Sequence, residues 1–230
     1  MSNGTTISAA STITLAGDAR IGGNNVASST IAAKITGDYA LEFASGSSST
    51  LASFALTNTG NDFGGNLNLN GSFNNGLITV KIGASGVVPN GAGKGNVLIQ
   101  GGSTVGNNAT LDLNGFAETI NGLVSGGTAA QTAVTNTSTT ANAVLTLGDA
   151  DTTATFAGII KDGASRNIGI TKIGLGVQTL SGINTYTGAT TINAGSLKAG
   201  ASNTFSSGSA VVLTNTAGAN LDLNNFDQTI

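Results

Sequence analysis

Ten residues at the middle of the chain, LDLNGFAETI at 111–120, return as LDLNNFDQTI at 221–230, with seven of the ten positions identical. Self-similarity at long range is the mark of a stacked-repeat architecture. A second pair of phrases keeps the same order: NDFGGNLNLNGS at 61–72 matches NTYTGATTINAGS at 184–196, aligning Asn61 with Asn184, Phe63 with Tyr186, Gly65 with Gly188 and Asn70 with Asn193. A weaker pair lies upstream, ITLAGDARIGG at 13–23 and LTLGDADTTATFAG at 145–158. The chain therefore divides into two imperfect copies of one unit, approximately 1–123 and 124–230. The intervals between copies drift by about a dozen residues, as insertions at loops on a constant frame produce.

Within each copy the apolar residues alternate in short runs such as ATLDLNGF, AVLTLGD and TTINAGSLKAG. Alternation is the pattern of a strand with one buried face. It also argues against disorder, which the Gly-, Ser- and Asn-rich composition would otherwise suggest. No run carries the helical spacing of apolar residues, so the alternatives are a sandwich, a barrel or a parallel β-helix. Aromatic content decides among them. With no Trp, eight Phe and two Tyr in 230 residues, a sandwich core lacks its large fillers, whereas the narrow interior of stacked rungs fills with Leu, Ile, Val, Ala and Thr. The expected fold is all-β: a parallel β-helix (β-solenoid) with no significant helix. At roughly 20 to 25 residues per rung it makes about ten rungs and a rod near 50 Å long. Asparagines at equivalent corners are expected to stack in side-chain amide ladders.

The residue inventory excludes several chemistries. A net charge of −3, with Lys and Arg scattered singly, leaves no basic stripe for nucleic acid. No apolar run is long enough for a membrane span, and MSNGTTISAAS lacks the features of a signal peptide, so Met1 is expected to be a start added to an excised piece or the start of a fragment whose targeting segment lay upstream. With no His and no Cys, zinc sites and Cys or Ser/His nucleophilic catalysis are ruled out. Neither a phosphate-binding loop nor a calcium-binding nonapeptide repeat occurs, so no cofactor or metal is expected. Of the 11 acids, Asp149 and Asp151 in GDAD form the tightest group, read as a solvated turn because no third acid or base stands near. Asp112 and Asp222 occupy the same place in the two LDLN phrases, read as outward-facing and too far apart in the stack to form a catalytic pair. The triplets headed by Asn3, Asn108 and Asn136 read as compositional accidents. Tyr39 and Tyr186 could stack on sugars, but Phe63 at the equivalent place favours packing for Tyr186.

The stretch GLGVQTLSGINTYTGATTINAGSLKAG at 174–200 resembles the passenger-associated transport repeat of bacterial autotransporter passengers. Lys172, Gly174, Gly176, Leu180, Gly182, Asn184, Tyr186, Gly188, Asn193 and Gly195 follow that pattern, and NDFGG in the first copy is a degenerate form of NTYTG. The LDLN phrases, with Leu111, Leu113 and Phe116 in one and Leu221, Leu223 and Phe226 in the other, resemble another recurrent element of such passengers. The resemblance implies a right-handed parallel β-helix, type V secretion, and display at the bacterial surface or outside the cell. The role expected within that setting is a structural, non-catalytic stalk supporting adhesion, with itself, end to end, or host or surface glycans as partners. Alternatives are a unit that stacks end to end with itself into fibres, and a carbohydrate-active β-helix enzyme. Because LDLNNFDQTI is expected to send Leu221, Leu223, Phe226 and Ile230 into the core, Ile230 is read as a cut or a junction.

Overall fold

The computed structural model describes residues 4–23, 26–46, 51–73, 76–103 and 108–230; Asn3 lies outside them. The chain winds as a parallel β-solenoid with three faces, and every strand pairing is parallel. The first face stacks seven strands, from Thr6–Ile7 and Val26–Ile31 through Ala109–Asp112 to Thr132–Thr135 and Ile159–Ile160. The second stacks three (Thr12–Thr14, Lys34–Gly37, Asp62–Phe63) and, further on, five, beginning with Ala117–Ile120 and ending with Val211–Leu213. The third stacks five, from Ala19–Gly23 to Leu123–Gly127, and then four, from Ala154–Phe156 to Asn220–Asp222. Third-face strands therefore count nine rungs over eight intervals, or about eight turns. At about 4.8 Å per interval the stack is roughly 40 Å long.

The expected ten rungs were too many because rung length is not constant. Val177 pairs with Ser196, 19 residues on, while Ile78 pairs with Ala109, 31 residues on. Excess chain leaves as irregular segments at the faces and corners. The described residues hold no α-helix; 3-10 turns lie at Ala129–Gln131 and Asp149–Asp151.

Alternation along each strand points every second side chain inward, and parallel register then stacks like on like. Phe54, Val80, Leu111, Val134 and Ile160 form one such column on the first face, all fully buried. Leu41, Leu67, Val97 and Leu123 form another on the third. Burying each of these side chains contributes about 1.5–3 kcal/mol, and every rung covers the apolar face of the next.

The amide ladders expected between asparagines are replaced by something else. The buried Asn121, Asn136 and Asn184 and the half-buried Asn61 bond the main chain of neighbouring rungs. A main-chain partner meets both ends of an amide, which another side-chain amide at a corner of variable length cannot do reliably.

Candidate functional site

Strand pairing is broken on the second and third faces and stops short on the first, and at each of these places polar side chains supply main-chain hydrogen bonds that a paired strand would. On the second face the irregular residues 83–96 lie between strands Asp62–Phe63 and Ala117–Ile120. From the rung below, Asn61 accepts a hydrogen bond from Ile35 N–H (2.9 Å) and donates to the Val87 carbonyl (2.9 Å). From the rung above, the Glu118 carboxylate accepts from the N–H groups of Gly86, Val87 and Val88 at 3.0, 3.3 and 3.0 Å. Asn121 accepts from Gly91 N–H at 2.8 Å and donates to the carbonyls of Gly91 (3.1 Å) and Lys94 (2.7 Å). Burial pushes the Glu118 carboxyl up to about 7, against the opposing pull of its three N–H donors.

On the third face, strands Leu123–Gly127 and Ala154–Phe156 belong to separate sheets. Gln178 pairs in register with Ala154, and its amide reaches beyond that small side chain to Leu123. It accepts from Leu123 N–H at 3.1 Å and donates to the Leu123 carbonyl at 3.0 Å, as the peptide group of a neighbouring strand would. On the first face the sheet stops at Ile159–Ile160. There Asn184 accepts from Ile160 N–H at 2.7 Å and donates to the Thr204 carbonyl at 2.7 Å, spanning three rungs.

The other residues of the transport-repeat pattern also serve the stacking. Gly148, Gly174 and Gly195 follow one another at one corner with φ of 99°, 65° and 60°. A Cβ on Gly174 would lie 2.0 Å from the Gly148 carbonyl oxygen, and one on Gly195 would lie 2.4 Å from that of Gly174, so the rungs meet there backbone to backbone. Gly176 and Gly188 approach the preceding rung as closely. Asn193 is half-buried, its N–H bonded to the Lys172 carbonyl. Lys172 stands in register between Leu147 and Ile192 and is fully buried. Its ammonium donates to the carbonyls of Ile173 (2.5 Å), Gly174 (2.9 Å) and Ala194 (3.3 Å). Burial pulls its pKa below the ordinary lysine range, with Asp151 opposing. Tyr186 is fully buried, as is Phe63 in the first copy. The Tyr186 hydroxyl bonds that of Thr190 (2.7 Å), which bonds that of Ser209 (2.8 Å), which donates to the Gly188 carbonyl (2.7 Å). Burial raises the Tyr186 phenol, with those two hydroxyls opposing.

The LDLN phrases fold alike. In each, the Asp side chain accepts from the N–H two residues on (Asn114, 2.9 Å; Asn224, 2.8 Å). The two following residues take positive φ (Asn114 50° and Gly115 85°; Asn224 49° and Asn225 60°). Phe116 N–H then bonds Leu113, and Phe226 N–H bonds Leu223, giving a type I′ turn. Each Asp faces a lysine one rung back, Lys81 with Asp112 at 3.4 Å and Lys198 with Asp222 at 3.7 Å.

Two expectations fail here. Asp112 points out of the core yet is buried, because Lys81 and both the N–H and hydroxyl of Thr137 close over it. Leu111 and Leu113 are buried and Phe116 half-buried, whereas Leu221 is only partly buried and Leu223, Phe226 and Ile230 are 43%, 37% and 57% exposed. The second phrase lies on the last rung of this chain, with one neighbouring rung rather than two.

Asp149 and Asp151 form a 3-10 turn in which Asp151 accepts from Leu175 N–H at 2.6 Å. Among the described residues no three His, Cys, Asp or Glu side chains gather as a metal site. Asn108 is exposed, and Asn136 is buried with its amide donating to the carbonyls of Ala141 and Asn167.

One cleft differs from all of this. On the outer side of the third face, over the first three rungs, Asp18, Ala19, Arg20, Ala40, Glu42 and Asn68 line a groove of about 320 Å³. Arg20 and Glu42 form an ion pair across paired strands, and the second oxygen of Glu42 accepts from the Asn70 amide at 3.0 Å. The Arg20 guanidinium lies 3.6 Å above the Phe73 ring. The Asn68 amide oxygen is buried and takes no hydrogen bond.

Sequence reasoning missed Glu118, Asn121, Gln178 and the groove. Gln178 carried a signal, a polar residue at an inward position of the alternating run VQTL. Glu118 carried the same signal in AETI.

The model of the passenger-associated transport repeat matches residues 170–199. Over 226 residues the chain is 34% identical to the adhesin BmaC autotransporter of Brucella suis biovar 1 (strain 1330), a match covering 94% of this chain and 6% of that protein. The chain thus corresponds to a small part of that relative's length. No solved structure matches it.

Proposed function

This chain belongs with the autotransporter passengers, at the bacterial surface or outside the cell, and we propose that it serves there as a rigid, non-catalytic spacer of an adhesin. The observation that carries this reading is the fate of its buried polar groups. Glu118, Asn121, Gln178, Lys172 and Asn184 are the residue types from which a site is made, and each is spent on main-chain groups of another rung. Stacked rungs with every seam bonded resist bending, because opening any interval breaks strand pairing and exposes an apolar column together. The adhesive setting is supported by the name of the relative, an adhesin.

The test exchanges this stretch, within the full-length passenger on living cells, for an unrelated β-solenoid segment with the same number of turns. Cell attachment is then compared with that of a strain from which the stretch is deleted. A spacer predicts attachment retained on exchange and reduced on deletion. Attachment abolished by the equal-length exchange would refute the spacer.

A further inference from the structure

We infer that the third-face groove of the first three rungs binds a neutral saccharide. The inference goes beyond the spacer reading and does not depend on it. Its starting point is an exception: among the described residues the Asn68 oxygen is the one buried side-chain polar atom without a hydrogen-bond partner, and such atoms call for a physical explanation. Nothing bonded to that oxygen holds the amide in place. Rotating the side chain therefore brings donor or acceptor to the groove without breaking a bond to it.

The groove surrounds that amide with the groups a sugar edge requires. Asp18 uses one oxygen on Ala40 N–H at 2.9 Å, which leaves the other for a hydroxyl. Arg20 pairs with Glu42 through Nε, which leaves its terminal N–H groups available. The guanidinium is already fixed by the Phe73 ring 3.6 Å beneath it, so little ordering cost remains on binding. Acceptor and donor thus stand two residues apart on the first rung and the amide on the third, and vicinal hydroxyls, each both donor and acceptor, match such a set. A volume of about 320 Å³ is at the small end of ligand-sized clefts.

Charge narrows the class. Asp18 and Glu42 against Arg20 leave the groove one negative charge in excess, which disfavours sialylated or sulfated glycans. A divalent cation is disfavoured as well, since only two carboxylates are present and one is already paired with Arg20.

The experiment is titration of the ¹⁵N-labelled chain with lactose, methyl α-mannoside and 3′-sialyllactose, followed by amide shifts. The expected result is saturable shifts at Arg20, Glu42 and Asn68 with at least one neutral probe at millimolar concentration, and binding of 3′-sialyllactose about tenfold weaker than that of lactose, a difference of about 1.4 kcal/mol. Asn68→Ala and Arg20→Ala should each weaken the neutral probe about fivefold or more with an unchanged melting temperature. The inference is overturned by no shifts at about 20 mM of either neutral probe, by sialyllactose binding as tightly as lactose, or by affinity that survives both substitutions. If one variant fails to fold, the other still decides.

Discussion

Gln178→Leu removes the side chain that joins the third face across its seam while keeping nearly the same volume. In the native chain the Gln178 amide satisfies Leu123 N–H and the Leu123 carbonyl, at 3.1 and 3.0 Å, within fully buried surroundings. Leucine leaves both groups unpaired, and an unsatisfied buried peptide group costs about 1–3 kcal/mol. Against this, leucine no longer buries an amide of its own, so the expected loss is about 2–4 kcal/mol. Urea denaturation should show a lower midpoint at unchanged slope, and the Leu123 amide should exchange its hydrogen faster than those of neighbouring strands. Gln178→Glu makes the chemistry explicit: it keeps an acceptor for Leu123 N–H, offers nothing to the carbonyl when ionised, and buries a charge. It should cost at least as much as leucine at pH 7 and recover partly in acid. A Gln178→Leu chain within about 0.5 kcal/mol of the parent, with Leu123 still protected, would refute the seam argument.

Two further outcomes test other buried polar groups. Glu118 is held near 7, above its ordinary 4.5, so the folded chain keeps a proton that the unfolded chain releases between those values. Stability is therefore greatest below that window and falls as pH rises through it, by about 3 kcal/mol; Glu118→Gln should flatten this slope in urea midpoints taken at pH 4.5, 6 and 8, and an unchanged slope would assign it elsewhere. Tyr186→Phe deletes one hydroxyl from the Tyr186, Thr190 and Ser209 chain and should cost about 1 kcal/mol, while Tyr186→Ala should cost about 3–5, both read from thermal melts. A neutral Tyr186→Phe would mean that Thr190 and Ser209 satisfy each other without the phenol.

Much of the fold was legible because its code is local. Alternation in NLNLN and ATLDL fixes which side chains point inward, and the Asn-Gly and Asn-Asn pairs after LDL mark turns that need two residues of positive φ. The seams were not legible. Glu118 and Gln178 occupy inward strand positions where the pattern calls for apolar residues, and a sequence does not show which peptide groups will lack a neighbour. Asp112 was misread for a related reason: the lysine and threonine that bury it lie on the rungs below and above, at Lys81 and Thr137. The third-face groove depends on side chains from three rungs meeting, so no stretch of sequence contains it.

The phase of the repeat shows why this code is local. The first LDLN phrase begins on the first face of the fifth rung, and the second lies on the third face of the ninth, an advance of four and two-thirds turns. Asn61 and Asn184 obey the same rule: one bonds the strand below at the corner leading into the second face, the other at the corner leading into the first, again nearly five turns on. The intervals in residues are unequal, 110 for one pair and 123 for the other, yet the intervals in turns agree. What the sequence repeats is therefore a strand and its corner, and the three faces are near enough in geometry to accept either copy. Stability that depends only on the adjoining rung places no requirement on which face carries a motif, provided that each strand finds a parallel neighbour or a side chain that imitates one. Where rung length drifts and the neighbour is lost, an amide or a carboxylate at an inward position restores the lost main-chain bonds, as Gln178 and Glu118 do. Such residues are thus the condition under which a solenoid of unequal rungs stays continuous.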